Sequence, residues 1–159
     1  MGDKPKKTTL IVFSGDLDKV FAAFLIATGA AAMGHEVVMF FTFWGLKAIQ
    51  TGALTGKGFF GRMLGLMNRG GISRIGPSRF NFGGIGRWMF KKMMKDKGAT
   101  PLSELLQLAL DMGIKLVPCG MTADVMEIDM SQLIKGVQPP VGVAAMLEDA
   151  VQSQVQLFI

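Results

Sequence analysis

Two short, nearly continuous apolar runs, Thr8 to Phe13 and Glu36 to Thr42, constrain this chain more than anything else in it. Neither alternates polar with apolar as a half-solvated strand does. A run apolar on both faces marks a strand covered from above and below, as in a parallel sheet. Between the two runs, Ser14-Gly15-Asp16-Leu17-Asp18 supplies a turn glycine and two acidic candidates for a helix cap. The Ala-rich stretch from about Asp18 to Met33 reads as a helix that stops at Gly34, with Gly29 as a break inside it. Parallel neighbours need such a crossover, so the segment is a βαβ unit with the right-handed sense that crossovers take.

The second half repeats the theme. Pro101 opens an amphipathic helix (Leu102, Leu105, Leu106, Ala109, Leu110, Met112) that ends at Gly113, with Thr100 and Ser103 as cap candidates. Ile114 to Val117 is then a buried strand, followed by Pro118, Cys119 and a helix over Met121 to Ile128. Asp129-Met130-Ser131 reads as a further capped start. Val137 to Gly142 reads as a short strand interrupted by Pro139-Pro140, which could not both sit in a hydrogen-bonded central strand. Val143 to Ser153 is a last helix, and Val155 to Ile159 a terminal strand. With 159 residues the chain is one domain, and the pattern predicts a three-layer α/β/α fold with a mostly parallel five-stranded sheet.

A basic helical insert interrupts it. From Lys57 to Lys97 ten basic residues face one acid, Asp96, a net of +9, so the rest of the chain carries −4 within the overall +5. Two helical patterns flank a Gly/Ser/Pro/Asn loop: Phe59, Phe60, Met63, Leu64 and Met67 before it, Ile85, Trp88, Met89 and Met93 after it. Arg87, Lys91 and Lys95 recur at helical spacing as a basic stripe. The insert suits a membrane surface, through its Trp-Met-Phe-Lys face, or an acidic protein or neighbouring subunit; equally, its charges could simply keep an apolar hairpin in solution. Nucleic acid is the weakest partner, since no RNP, KH or zinc-finger signature is present.

Composition excludes several chemistries. One cysteine and one histidine, His35, rule out an internal disulfide, a C-x-x-C redox pair, an all-cysteine zinc site and most histidine-based metal sites, and no cofactor is implied. His35 sits in a helix-stop segment expected at the opposite edge of the sheet from Cys119, where an ordinary structural role is the simpler reading. Gly52-Ala53-Leu54-Thr55-Gly56-Lys57-Gly58 fails as a phosphate loop: its glycines are too close and Gly replaces the Ser or Thr after Lys. No apolar run reaches the length needed to cross a bilayer. The charged Met1 to Lys7 lacks the apolar core of a secretory signal, so a cytoplasmic location is expected.

Attention therefore falls on Cys119. In open α/β sheets ligands gather outside the carboxyl ends of the strands, where helix N-termini present free amides. Cys119 has that address. A free cysteine often only fills space; here it follows Pro118 at a strand terminus, Gly120 allows close approach, and the amides of the next helix would favour the thiolate. Trp44, in Phe43-Trp44-Gly45 after the second strand, is either the rim of the same crevice or ordinary packing.

The segment Val117 to Met126, together with Ile11-Val12-Phe13-Ser14-Gly15-Asp16, Gly34-His35-Glu36-Val37, Phe43-Trp44-Gly45 and Leu157-Phe158-Ile159, resembles the DsrE/DsrF-like family, in a branch that often carries a peroxiredoxin label. The resemblance covers most of the chain and includes the basic Met-rich insert. That family contains sulfur carriers and sulfurtransferases. The resemblance implies that Cys119 holds sulfane sulfur as a persulfide and passes it to a partner thiol, with sulfur-donor and sulfur-acceptor proteins as partners and a homo-oligomer as the assembly. Gly120, Met121 and Thr122 would form an amide nest for the sulfur, with Ser14, Gly15 and Trp44 as further substrate contacts; Asp124, Met121 and Met126 match the surrounding motif without an assigned role. The peroxiredoxin label has no counterpart in these residues, because no second cysteine could resolve a sulfenic acid.

Overall fold

A computed structural model describes residues 6–159; of the charged N-terminal stretch read above, residues 1–5 lie outside the described part. The elements run β1 (Lys7–Val12), α1 (Leu17–Ala32), β2 (Glu36–Phe41), a 3-10 helix (Phe43–Ile49), α2 (Phe59–Met67), α3 (Ile85–Asp96), α4 (Leu102–Asp111), β3 (Lys115–Pro118), α5 (Gly120–Val125), α6 (Val143–Val151) and β4 (Val155–Phe158), with short 3-10 turns before α3 and after α5. The strand order is β3-β2-β1-β4. Every pairing is parallel, and Leu10 of β1 lies level with Met39 of β2 and Leu157 of β4.

β2 shows why its sequence has no polar face. Val37, Met39 and Phe41 point into one apolar cluster, filled from the helix side by Val20, Phe24 and Ala27 of α1 and by Leu105, Leu106 and Ala109 of α4. Val38 and Phe40 point the other way, into a smaller cluster closed by Met146 and Ala150 of α6. Side chains alternate across a strand, so two clusters on alternate residues mean two covered faces. That is the three-layer α/β/α architecture, with α1 and α4 on one side of the sheet and α6 on the other.

Among the described residues the sheet has four strands where five were expected. Val137 to Gly142 does lie along β3: Gln138 donates to the Leu116 carbonyl at 2.8 Å and Val141 to that of Pro118 at 3.0 Å. Pro139 and Pro140 have no N–H to give between these points, so the ladder shrinks to one parallel bridge, Cys119 with Val141. Gly29, expected to break the first helix, sits inside an unbroken α1 with nothing within 4 Å of a Cβ placed there. One glycine costs a helix only about 1 kcal/mol, less than the buried face of α1 returns. Asp16 takes the N-cap position of α1 without capping a helix amide, its carboxylate accepting instead from Lys19 at 3.1 Å, while Asp18 accepts from the amide and hydroxyl of Ser78, both at 2.8 Å. The capped start at Asp129 is present as a capping box with Gln132.

The insert adds no strand. α2 rests on the body through its glycines, and α3 lies across the starts of α1 and α4, with Phe90 and Met94 meeting the core. The basic stripe of α3 differs from a solvated face: Lys91 donates to the Ser73 carbonyl at 2.6 Å and Arg87 to that of Arg74. Burial, then the nearby Arg87 charge, pulls the Lys91 pKa down. These two cations fasten α3 to its own loop.

Candidate functional site

Cys119 extends β3 by one residue. Its amide donates to the Phe41 carbonyl at 2.8 Å, and its own carbonyl accepts from Ala123 at 3.0 Å as the cap of α5. The chain thus turns from strand to helix at the thiol, as the sequence predicts. The side chain is only 1% exposed and belongs to the smaller cluster with Val38, Phe40, Val117, Met146 and Ala150.

Polar groups nevertheless reach it. Burial pushes the thiol pKa up, but hydrogen bonds from the Thr122 hydroxyl and amide, the Thr42 hydroxyl and the Met121 amide together outweigh burial and hold it below the ordinary cysteine value. Thr42 and Thr122 lie with hydroxyls 3.0 Å apart, joining the end of β2 to the first turn of α5. α5 has six residues, so the effect belongs to two local amides and two hydroxyls more than to a helix macrodipole. Of the expected nest, the Met121 and Thr122 amides lower the thiol pKa, whereas the Gly120 amide donates to the Val141 carbonyl at 2.9 Å. The Met121 side chain is exposed.

Beside Gly120 and Pro140 opens a cavity of about 610 Å³, lined also by Lys57, Asp124, Glu127 and Asp129. It brings the start of the insert to the site. The Glu127 carboxylate accepts from the amides of Lys57 and, at 2.8 Å, Gly58, at the head of α2. Those two bonds, Gly58 first and then Lys57, lower its pKa. Glu127 holds a left-handed backbone with φ of 51°, the turn that ends α5 short of the expected Ile128 and aims the carboxylate at the insert.

Ser14, Gly15 and Trp44 do come together, but away from the thiol. With Asp16, Lys47 and Asn68 they line a separate cavity of about 280 Å³ above the end of β1, with β2 between it and Cys119. Ser14 donates to the Asp16 carboxylate at 2.8 Å, and Lys47 donates to the Asn68 side chain. Burial lowers the Lys47 pKa against the opposing pull of Asp16. Gly15 is required there: a Cβ would stand 2.3 Å from the Trp44 carbonyl oxygen. Trp44 is at the rim, partly exposed. His35 bonds Thr8 through Nδ1 at 2.8 Å, at the opposite end of the strands from Cys119 and not at the opposite edge of the sheet.

Sequence reading passed over Thr42, Met146 and Glu127. Thr42 carried a usable signal, a hydroxyl at the carboxyl end of a buried strand; Met146 and Glu127 carried none, because their positions depend on tertiary packing. Among the described residues no group of three or more His, Cys, Asp or Glu side chains could hold a metal ion.

The model of the DsrE/DsrF/DrsH-like family matches residues 4–158. The chain belongs to that family. Among relatives, this DsrE-like chain is 42% identical over 161 residues to the uncharacterized protein YrkE of Bacillus subtilis, covering all of both chains. It is 32% identical over 157 residues to the sulfur carrier protein DsrE2 of Allochromatium vinosum, covering 97% of this chain and 98% of that one. The crystal structure of the ychN protein from E. coli superposes with a TM-score of 0.55 at 11% identity, over 96% of this chain and 99% of that one, a likeness of fold.

Proposed function

We propose that this DsrE-like protein is a sulfur carrier or sulfurtransferase that holds sulfane sulfur on Cys119 and yields it to a partner thiol. Family membership and the likeness to a sulfur carrier support a sulfur-transfer role at the level of the family. The observation that carries the reading to one residue is that the only cysteine ends a strand among two hydroxyls and two amides that favour its thiolate.

The Cys119 thiolate attacks the outer sulfur of a donor persulfide. The donor S–S bond breaks as the Cys119 S–S bond forms, and the donor leaves as a thiolate that takes up a proton. An acceptor thiolate then repeats the step on the outer sulfur of Cys119, so no oxidant or reductant is consumed. The Met121 and Thr122 amides stabilise negative charge on the sulfur in both steps. Donor and acceptor proteins are the partners, and the cavity beside Gly120 and Pro140 is their approach. The Ser14, Gly15 and Trp44 cavity is a contact surface for the same proteins. We assign the reaction to the cytoplasm, where free thiols persist.

Exposure to inorganic polysulfide should add the mass of one or more sulfur atoms per chain in intact-mass spectrometry, with none gained by Cys119→Ser. A wild type that stays unmodified would favour a second reading, supported by the near-complete burial of Cys119: a docking module for a protein or membrane with an inert cysteine. A homo-oligomer is part of the proposal. Val143, Leu147 and Val151 of α6 and Phe158 of β4 form exposed apolar positions near one another in sequence. Light scattering at micromolar concentration should exceed the 17.1 kDa of one chain; a clean monomer would remove that part.

A further inference from the structure

The insert leaves much of its apolar bulk in solvent. α2 makes its tightest approaches to the body at glycines: a Cβ at Gly61 would stand 2.2 Å from the Glu127 carboxylate, and one at Gly65 would stand 2.3 Å from the Thr55 carbonyl oxygen. The bulky residues face out, with Phe59 78% and Phe60 76% exposed, and Leu66 and Met67 beside them. α3 repeats the arrangement. Gly86 is buried and Arg87 and Lys91 bond loop carbonyls, while Ile85, Trp88 (66% exposed), Met89 and Met93 face solvent. Helices of soluble domains bury the apolar side and wet the charged one; here Phe90 and Met94 of α3 meet the core, but most of the remaining apolar bulk of both helices stands in solvent beside exposed cations.

We propose that these exposed apolar residues dock the insert on an anionic lipid surface. Three observations select that occupant. Exposed cations lie within a turn of the exposed rings, Arg62 after Phe59 and Phe60, Arg79 beside Phe80, and Lys92 one turn from Trp88, with Lys95 and Lys97 beyond. Rings and methionines flanked by Lys and Arg suit the boundary between headgroups and acyl chains, where the apolar part sinks and the cation meets phosphate. Second, the segment carries ten cations against one acid, so a symmetric contact with another copy would set net +9 against net +9. Third, no helix among the described residues is long and apolar enough to cross a membrane, so the attachment lies on the surface and does not span it. An anionic bilayer answers both the charge and the apolar rings without needing a matched groove. The inference does not depend on the sulfur chemistry of Cys119.

The test is co-sedimentation of the full chain with vesicles of phosphatidylcholine alone and of phosphatidylcholine mixed with phosphatidylglycerol. Binding is expected only to the mixed vesicles, weakening as salt rises. The Phe60→Gln/Trp88→Gln/Met93→Gln variant should keep the wild-type melting curve and bind at least tenfold more weakly. A second readout needs no variant at those sites: in a Trp44→Phe background, Trp88 fluorescence should shift to the blue on the mixed vesicles and be quenched by brominated acyl chains. Failure to bind anionic vesicles, or Trp88 left unquenched on them, overturns the proposal. If the triple variant binds vesicles as the wild type does, or instead only loses an oligomeric state, these residues belong to a protein contact.

Discussion

Around Cys119 large side chains turn inward; in the insert most of them turn outward. The sheet end is held by side-chain packing, with Phe24, Phe41, Leu116 and Val12 fully enclosed. The insert is held by a few apolar anchors, Ile75, Phe90 and Met94, and by backbone and polar fasteners: carbonyls that accept Arg87 and Lys91, Asp18 on Ser78, Glu127 on the first amides of α2. The difference teaches that hydrophobic content alone does not locate a core. The two regions should therefore respond to opposite kinds of substitution.

The largest contrast is in truncation of rings. Phe24→Ala should cost about 3–5 kcal/mol in chemical denaturation, as large cavities in packed cores do, whereas Phe60→Ala should change stability by no more than about 0.5 kcal/mol. Equal losses would mean that Phe60 is packed against something after all. Glycines sharpen the contrast with opposite signs. Gly45→Ala should destabilise by about 1–3 kcal/mol, because its Cβ would stand 2.0 Å from the Val12 carbonyl oxygen. Gly29→Ala, with open space around it, should stabilise α1 by about 0.5–1 kcal/mol.

A smaller effect concerns the thiol. The folded chain releases the Cys119 proton at a lower pH than the unfolded chain, so between those two pKa values the unfolded state holds the extra proton and stability rises with pH. That gain is complete above the ordinary thiol value of about 8.5 and absent below the folded-state value. Melting curves across this range should rise more for wild type than for Cys119→Ser. Thr122→Val and Thr42→Val should each move the thiol pKa up and slow iodoacetamide alkylation at neutral pH severalfold. A pH profile unchanged in both variants would remove the hydroxyls from the site. The smallest effect is expected at Glu127. Its pKa is lowered by the Gly58 and Lys57 amides, so its contribution is present above the usual carboxylate range and fades as pH falls through the depressed value. Glu127→Gln should leave the melting curve of the domain nearly unchanged while speeding hydrogen exchange across the start of α2.

Much of the fold was legible because the sheet is buried on both faces. β1, β2 and β3 announce themselves as runs without a polar side, and Pro101, Gly34 and Gly113 punctuate the helices between them. The position of Cys119 followed from the same logic, since a strand that ends in Pro-Cys-Gly before a helical pattern leaves the cysteine at the turn. What could not be read was which groups from other elements would reach the thiol: Thr42 comes from a strand far away in sequence, and only the pairing of β2 with β3 brings it near Thr122. Ser14 and Trp44 follow strand ends as Cys119 does, yet they gather with Lys47 and Asn68 in a cavity of their own. The insert misled in another way, because a 3.6-residue apolar pattern says which residues share a face and not whether that face turns in or out.

Pro139 and Pro140 have an effect beyond shortening a strand. An open sheet has two outer margins, each offering a row of backbone groups to any passing extended chain. On the β3 side that row is already occupied by a segment bonded at Gln138 and Val141, and the two prolines between them turn no N–H outward. The margin is closed to further strand addition, and with it one route to aggregation. Among the described residues the β4 side has no such guard: it pairs there only with β1, and Val155, Leu157 and Phe158 are exposed along it. If strands of separate copies ever zip together in this protein, they can do so through β4, and growth through a single margin stops at a pair.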